Sequence, residues 1–360
     1  MLTNKHGIGL SVALMLATDD YDHDYRPNAF SATGLLKPLR VLALSIIHKD
    51  KLTGEIDVTN LVASSTGTAV HDRLENTWLN PKKVKAGLAR LGYKDAKVLV
   101  NPTDEELKNS PNHAVVYVEI RNEKTIIIDE FKLILTGKFD IVLQGKLEDL
   151  KNTGTFKVIK ALKELEWFKK LKSSMNQNNI MSVMDDIANT CPTIFEYCIQ
   201  GSIYKFLNPK IIVEDFMSIQ FIMKDWYKGQ VGKAYYPSVN PYQFDIDLFT
   251  SDEIKTWIYY RINDLNDIIK TNSIPYCTDA ELWRNPPEFK VYKDHSSKRA
   301  LPKGTFANYA DAQAFSKKRK VPGDVRLIPS TPKRCNYCNT REVCDQYAKF
   351  IVDGLLKKEE

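Results

Sequence analysis

Between His113 and Leu150 five short apolar runs follow one another: His113–Ile120, Thr125–Ile128, Lys132–Leu135, Phe139–Val142 and Lys146–Leu150. Each has the length of a strand, and the gaps between them are too short for anything but hairpins or tight bends. Helical patterns flank this stretch. Upstream, Leu35, Leu36, Leu39, Leu42, Leu44 and Ile47 recur at roughly helical spacing, and Thr66–Asn80 sets Val70, Leu74 and Trp78 at i, i+4, i+8 before Pro81 ends the run. Downstream, Val158–Leu171, Ile194–Phe206 and Ser251–Ile269 read as helices, with a strand within Val213–Met223. The order helix, strands, helices predicts an α/β fold, a core with appended helical and C-terminal elements. At 360 residues the chain makes one large domain or two ordinary ones.

Composition narrows the classes. Hydrophobic residues at 43% and charged residues at 27% exclude disorder over most of the chain. No apolar run reaches the roughly 18–20 residues that span a bilayer. Ile8–Ala17 comes nearest, lacks a small-x-small cleavage site, and runs straight into the acidic Asp19–Asp24. The expectation is a cytoplasmic protein with no membrane partner. The acidic run could bind a cation, but a solvated acidic loop is the favoured reading. Six cysteines are too few for a disulfide scaffold.

Charge is unevenly placed. Arg284–Arg334 holds 13 Lys/Arg against 4 Asp/Glu, while the remainder of the chain is net −3. Prolines at 275, 286, 287, 302, 322, 329 and 332 break up the same region, which reads as a basic, irregular tail closed by a short helix over Arg341–Leu356. Such a tail suits a polyanion, and Lys317, Lys318, Arg319, Lys320, Lys333 and Arg334 are the candidate phosphate contacts. Tyr309, Phe315 and Tyr337 could stack on unpaired bases or fill a core.

The chemistry concentrates in Gly137–Lys151. Asp140 is expected within an apolar strand, and Asp149-x-Lys151 follows nine residues later. Alternate strand residues share a face, so Asp149 and Lys151 point together while Glu148 points away. Two carboxylates on adjacent strands with one lysine can hold a hard divalent cation and place a water beside it. A solvated charge pair on an edge strand would use the same residues. Around this core stand His71 on a helix, Glu119 at a strand end, and Gln200 and Tyr204 at i, i+4 on another helix. A second pattern lies near the C-terminus. Cys335-x2-Cys338-x5-Cys344, with Cys277 upstream, offers four thiolates that could close a tetrahedral zinc site or hold an iron–sulfur cubane. Cys191 and Cys198 read as ordinary buried residues.

In that order, His71, Glu119, Gly137-x-x-Asp140, Asp149-x-Lys151 and Gln200-x-x-x-Tyr204 resemble the PD-(D/E)XK nuclease superfamily, in its RecB-like exonuclease branch. Phe30–Pro38 is similar to the opening segment of phage-encoded members, as is Pro275–Thr278 with Glu281-x-Trp283. The resemblance spans roughly residues 28–348. It implies a restriction-endonuclease-like core with a mixed central β-sheet flanked by helices, Mg²⁺ or Mn²⁺ in the site, and hydrolysis of DNA phosphodiesters, as an exonuclease acting on ends. By that carry-over Asp140 and Asp149 bind metal, His71 and Glu119 complete the metal shell, Lys151 positions or activates water, and Gln200 and Tyr204 contact DNA or brace the site. Relatives of the CRISPR adaptation exonucleases close with a similar C-x2-C-x5-C. This implies a [4Fe–4S] cluster, with Zn²⁺ as the alternative, on Cys277, Cys335, Cys338 and Cys344. Here Cys277 serves where many of those proteins use a cysteine ahead of the nuclease core.

The resulting organisation is an N-terminal arm and helix over 1–60, a nuclease core over 61–270, and over 271–360 a basic tail clamped by the four cysteines. Expected partners are DNA ends or single strands, with a recombination or single-strand-binding protein alongside, in phage or mobile-element recombination, replication or DNA degradation. No Walker A pattern occurs, so the chain carries no motor of that type. The competing reading is a non-catalytic DNA-end binding or scaffold protein that keeps the nuclease fold, and RNA is a further possible substrate.

Overall fold

The computed structural model describes residues 2–18, 24, 26, 28–52 and 56–357. They form a mixed α/β protein whose backbone separates into two compact units, residues 1–37 with 55–270, and residues 38–54 with 271–360. Among the described residues no helix is long and apolar enough to cross a membrane.

The first unit is built on α1 (Val62–Trp78), β1 (Val98–Val100), β2 (Ala114–Val118), β3 (Arg121–Ile128), β4 (Phe131–Lys138), β5 (Ile141–Leu143), β6 (Lys146–Thr153), α2 (Thr155–Ser173), α3 (Pro192–Leu207), β7 (Phe216–Met223), β8 (Tyr242–Asp247) and α4 (Ser251–Thr271). Six strands make the main sheet, in the order β8-β7-β6-β5-β2-β1. Its centre pairs β6 in parallel with β7 and antiparallel with β5. A smaller sheet joins β3, β4 and the short strand Ala29–Ser31. The β5–β6 hairpin closes through Gln144 and Gly145, both at positive φ, and Leu143 pairs with Lys146 across the turn. Two successive left-handed residues match the twist of the flanking strands.

Alternation explains β6. Leu147 and Asp149 are buried on one face, with Lys151 following them. In register on β7 stand Met217, Ile219 and Phe221, all fully buried. That apolar surface receives α3, whose Ile194, Cys198, Ile199 and Ile203 are also buried. Cys191 and Cys198 are buried as expected, and burial pushes their thiols up to about 11 and about 12.

Glu164, buried on α2, fixes the start of α3. Its carboxylate accepts hydrogen bonds from the backbone N–H of Thr193 (2.8 Å) and Ile194 (3.0 Å) and from the Thr193 hydroxyl (3.1 Å). These amides belong to the first turn of a helix that opens with Pro192, and they have no partner within the helix. A side chain from another helix here does the work of a local cap.

The second unit departs from the sequence reading. Its basic stretch is not irregular. It forms a three-stranded antiparallel sheet from β9 (Glu288–Tyr292), β10 (Ala300–Phe306) and β11 (Asp324–Ile328), with β9 in the middle and α5 (Tyr309–Lys317) between β10 and β11. The terminal helix is shorter than expected, α6 (Asp345–Val352), preceded by a 3-10 turn at Arg341–Val343. The expected arm over 1–60 is also divided. The helix Leu39–Ile47 belongs with this unit because Arg40, almost wholly buried, hydrogen-bonds the carbonyls of Ile274 (3.3 Å) and Pro275 (3.1 Å) and pairs with Asp345.

Replacing Glu164 by Ala leaves two first-turn amides of α3 and a hydroxyl without their acceptor in a buried setting. The expected loss is about 2–4 kcal/mol of unfolding free energy, read from urea denaturation. Glu164→Gln, which keeps one acceptor oxygen, should lose less. An unchanged midpoint for the alanine variant would show that this carboxylate does not hold α3.

Candidate active site

The first unit gathers every site residue singled out in residues 71–204. Asp149 sits at 2% exposure on β6. Lys151, two positions on, places its Nζ 2.7 Å from Asp149 Oδ2. Asp149 Oδ2 is buried, and the Lys151 ammonium is the group that faces it. Burial pushes the Asp149 carboxyl up, against the pull of Lys151. Burial also opposes the charge on Lys151, but Asp149 and Asp140 outweigh it and its pKa is raised, so the ammonium stays protonated.

Asp140 does not lie in a strand as expected. It occupies the bend between β4 and β5. There its Oδ2 accepts a hydrogen bond from the Leu150 N–H on β6 (2.8 Å), while its Oδ1 lies 3.1 Å from His71 Nδ1 on α1. The bend frees the carboxylate from strand alternation and lets two elements hold it at once. The Asp140 contact raises the His71 pKa, with burial working against it.

Glu119 follows the end of β2 at φ 55°, a left-handed conformation unfavourable for a side chain of this size. Its N–H is held by the Asp140 carbonyl (3.0 Å) and its carboxylate by Lys138 (2.5 Å). Burial raises the Glu119 pKa, and Lys138 opposes that rise. Ligand atoms of His71, Glu119 and Asp140 all lie within 4.8 Å of one another. Three donors from three elements, beside the buried Asp149 carboxylate, fit a divalent cation. The imidazole makes the set softer than an all-oxygen Mg²⁺ site.

Gln200 and Tyr204 complete a chain of contacts. Gln200 Oε1 accepts from Lys151 Nζ (3.2 Å), and Gln200 Nε2 donates to the Tyr204 hydroxyl (2.9 Å). Both bear on the site through Lys151. The glycines explain how α3 comes so near. A Cβ on Gly201 would stand 2.1 Å from Met217 Sδ and 2.8 Å from a Leu248 methyl. A Cβ on Gly137 would stand 2.8 Å from a Leu207 methyl and 3.0 Å from the Tyr204 ring. The Gly137-x-x-Asp140 spacing thus pairs a strand position open to Tyr204 with the carboxylate three residues on.

Two participants were missed in the sequence. Lys138 carries the charge balance of Glu119. Tyr197, one helical turn before Gln200, lies beneath Lys151 at 5.9 Å and Lys157 at 5.4 Å from its ring, and its buried hydroxyl has no hydrogen-bond partner. The i, i+3, i+7 row Tyr197, Gln200, Tyr204 was the available signal. Of the acidic run, residues 19–23 lie outside the described residues, and Asp24 is paired with Arg26 at 2.6 Å.

In the second unit Cys277, Cys335, Cys338 and Cys344 line one cavity with Arg40, Val41, Leu282 and Tyr347. Arg40 Nε donates to Cys344 Sγ (3.2 Å), and the Thr340 hydroxyl lies 3.2 Å from Cys338 Sγ. Burial, reinforced by neighbouring thiols, pushes Cys277 up to about 12 and Cys335 up to about 11. Among the described residues these sulfurs do not form a ligand group as compact as that of His71, Glu119 and Asp140. Of the candidate stacking residues, Phe315 packs on Phe306 (5.2 Å) and Tyr309 edge-on to Phe289 (5.6 Å), whereas exposed Tyr337 stands 6.4 Å from Trp283, over which Arg334 lies.

No family model matches the chain, and no curated protein matches it. Among solved structures it is similar to one titled "Crystal structure of SSO0001", over 76% of this chain and 89% of that one, at 13% identity and a TM-score of 0.37. That likeness is too slight to bear on what the chain does.

Proposed function

We propose that the protein is a divalent-metal-dependent deoxyribonuclease of the PD-(D/E)XK type, an exonuclease acting on DNA ends. The observation that carries this reading is the convergence of His71, Glu119 and Asp140 within 4.8 Å beside the Asp149–Lys151 pair. A cation held there supplies a polarised water and offsets phosphate charge. His71 and the three carboxylates are its donors, and they must be unprotonated to serve. Lys151, charged and held by Asp149 and Gln200, faces the charge that develops on the scissile phosphate. Its raised pKa suits an electrostatic role better than that of a base. Tyr204 and Gln200 hold its ammonium in place. Charge balance supports the same reading, since four acidic or metal-binding groups meet only two lysines.

The four cysteines are proposed to hold a [4Fe–4S] cluster, with Zn²⁺ as the alternative, and what supports this is that all four line one cavity. The exposed basic residues of the second unit are proposed as backbone contacts to the DNA.

End-labelled linear DNA should shorten with Mg²⁺ or Mn²⁺ and persist with EDTA, while covalently closed circles survive. Asp149→Ala and Lys151→Ala should each slow cleavage by at least about a hundredfold, with DNA binding retained. Binding by wild type with every substrate intact in both metals would sink the nuclease reading and favour an end-binding scaffold. For the cysteines, anaerobically purified protein should contain iron and acid-labile sulfide, and Cys→Ala at positions 277, 335, 338 or 344 should lose both. One equivalent of zinc with no iron would decide against the cluster.

A further inference from the structure

Five exposed residues of α2, Phe156, Lys160, Lys163, Trp167 and Lys170, recur at alternating steps of four and three. That spacing lines them along one stripe of the helix. Phe156 is 78% exposed and Trp167 56%. They stand about 16 Å apart along the axis, with two lysines between them. A core-facing stripe would bury the rings, and a merely solvated one would not need them.

The segment 224–241, between β7 and β8, runs beside this stripe. Asp225 Oδ1 accepts from the N–H (2.6 Å) and hydroxyl (2.7 Å) of Thr155 at the start of α2. Two turns further on, Lys163 Nζ lies 5.9 Å from the Tyr235 ring. The segment is internally braced, with Trp226 Nε1 donating to the Pro237 carbonyl (2.9 Å) and the Tyr227 N–H to the Tyr236 hydroxyl (2.8 Å). It presents Tyr227 at 66% exposure and Tyr235 at 49%, the latter held at φ 61°.

The charge on this surface is nearly of one sign. Residues 155–173 and 224–241 contain nine lysines against Glu164, Glu166 and Asp225. Glu164 and Asp225 are taken up in capping α3 and α2. The partner is therefore a polyanion with flat apolar faces, and unpaired bases on a phosphate backbone have both. A duplex keeps its base faces stacked inside and would leave the four rings unused. The helix that carries the stripe also begins near the site, because Lys157 in its first turn and Lys151 both lie over the Tyr197 ring.

We propose that the α2 stripe and the 224–241 segment form a tract for an unpaired DNA strand leading away from the carboxylate–lysine site. The proposal takes from the nuclease reading only that the polynucleotide is DNA. Its test is fluorescence anisotropy of labelled oligo-dT and of a blunt duplex, using the full-length protein in EDTA, where cleavage plays no part. Phe156→Ala and Trp167→Ala should each weaken oligo-dT binding about tenfold and leave duplex binding unchanged, with Trp167→Phe restoring most of the loss. The double variant Lys160→Ala/Lys163→Ala should reduce the salt slope for oligo-dT by about 1.4. All these side chains are exposed, and thermal melts would verify that the variants fold. Unchanged oligo-dT affinity in both aromatic variants, or equal losses for single strand and duplex, would overturn the tract. Because binding is read without cleavage, an inactive protein that binds in this way would refute the nuclease and leave the tract standing.

Discussion

The close approach of α3 to both sheets is the constraint on which the site depends. Gly201 lets the helix lie against Met217 and Leu248, and Gly137 lets Tyr204 and Leu207 lie against β4. A side chain at either point would force its neighbours in a packed interior to give way. Gln200, next to Gly201 on the helix, keeps its 3.2 Å contact with Lys151 through that close approach. The backbone of α3 is set at one end by Glu164 and along its length by these contacts. The helix is a positioning element for a lysine it does not carry.

Electrostatics run the other way from packing. A carboxylate and an ammonium buried side by side each lose hydration, and their attraction alone seldom offsets that loss. The surroundings soften the cost. Lys151 has a second carboxylate nearby in Asp140 and an aromatic face in Tyr197, while Asp140 is tied to the Leu150 amide. The Asp149 pKa is raised by its burial, against the pull of Lys151. A divalent charge would reverse the local preference and favour every carboxylate in its ionised form. Such a cluster is stable in one protonation state without a cation and in another with it, which makes metal affinity dependent on pH in the direction of tighter binding as pH rises.

Much of this was legible in the chain. The hairpins of residues 113–153 and the helices carrying His71, Gln200 and Tyr204 follow from period and turn chemistry, because one face of each element meets a single core. Asp140 was misplaced since an apolar neighbourhood, Phe139 to Val142, looks like a strand whether or not the backbone bends within it. The second unit was least legible. Its strands Glu288–Tyr292, Ala300–Phe306 and Asp324–Ile328 hold basic and proline residues, so alternation is masked, and the only buried residues among them are Val291 and Tyr292, adjacent on β9, and Gly304 on β10. Strand pairing across a helix and a loop is a long-range property, and the local pattern of a small, half-solvated sheet does not disclose it.

Arg40 shows the same limit in one residue. Nothing in Pro38–Leu42 marks it, and a helical arginine is by default a solvated one. Here the guanidinium is buried, with donors committed to Cys344, to the carbonyls of Ile274 and Pro275, and to Asp345. Its five N–H groups form a planar fork that a lysine could not replace, because a point charge reaches fewer acceptors at fixed angles. Asp345 alone balances its charge among these partners, and it does so from a largely exposed position. Arg40 favours negative charge in the cavity, and it works against the burial that pushes the Cys277 thiol up. The helix Leu39–Ile47 therefore belongs to the cysteine unit for an electrostatic reason, and a reading confined to local spacing had no means of joining residue 40 to residue 344.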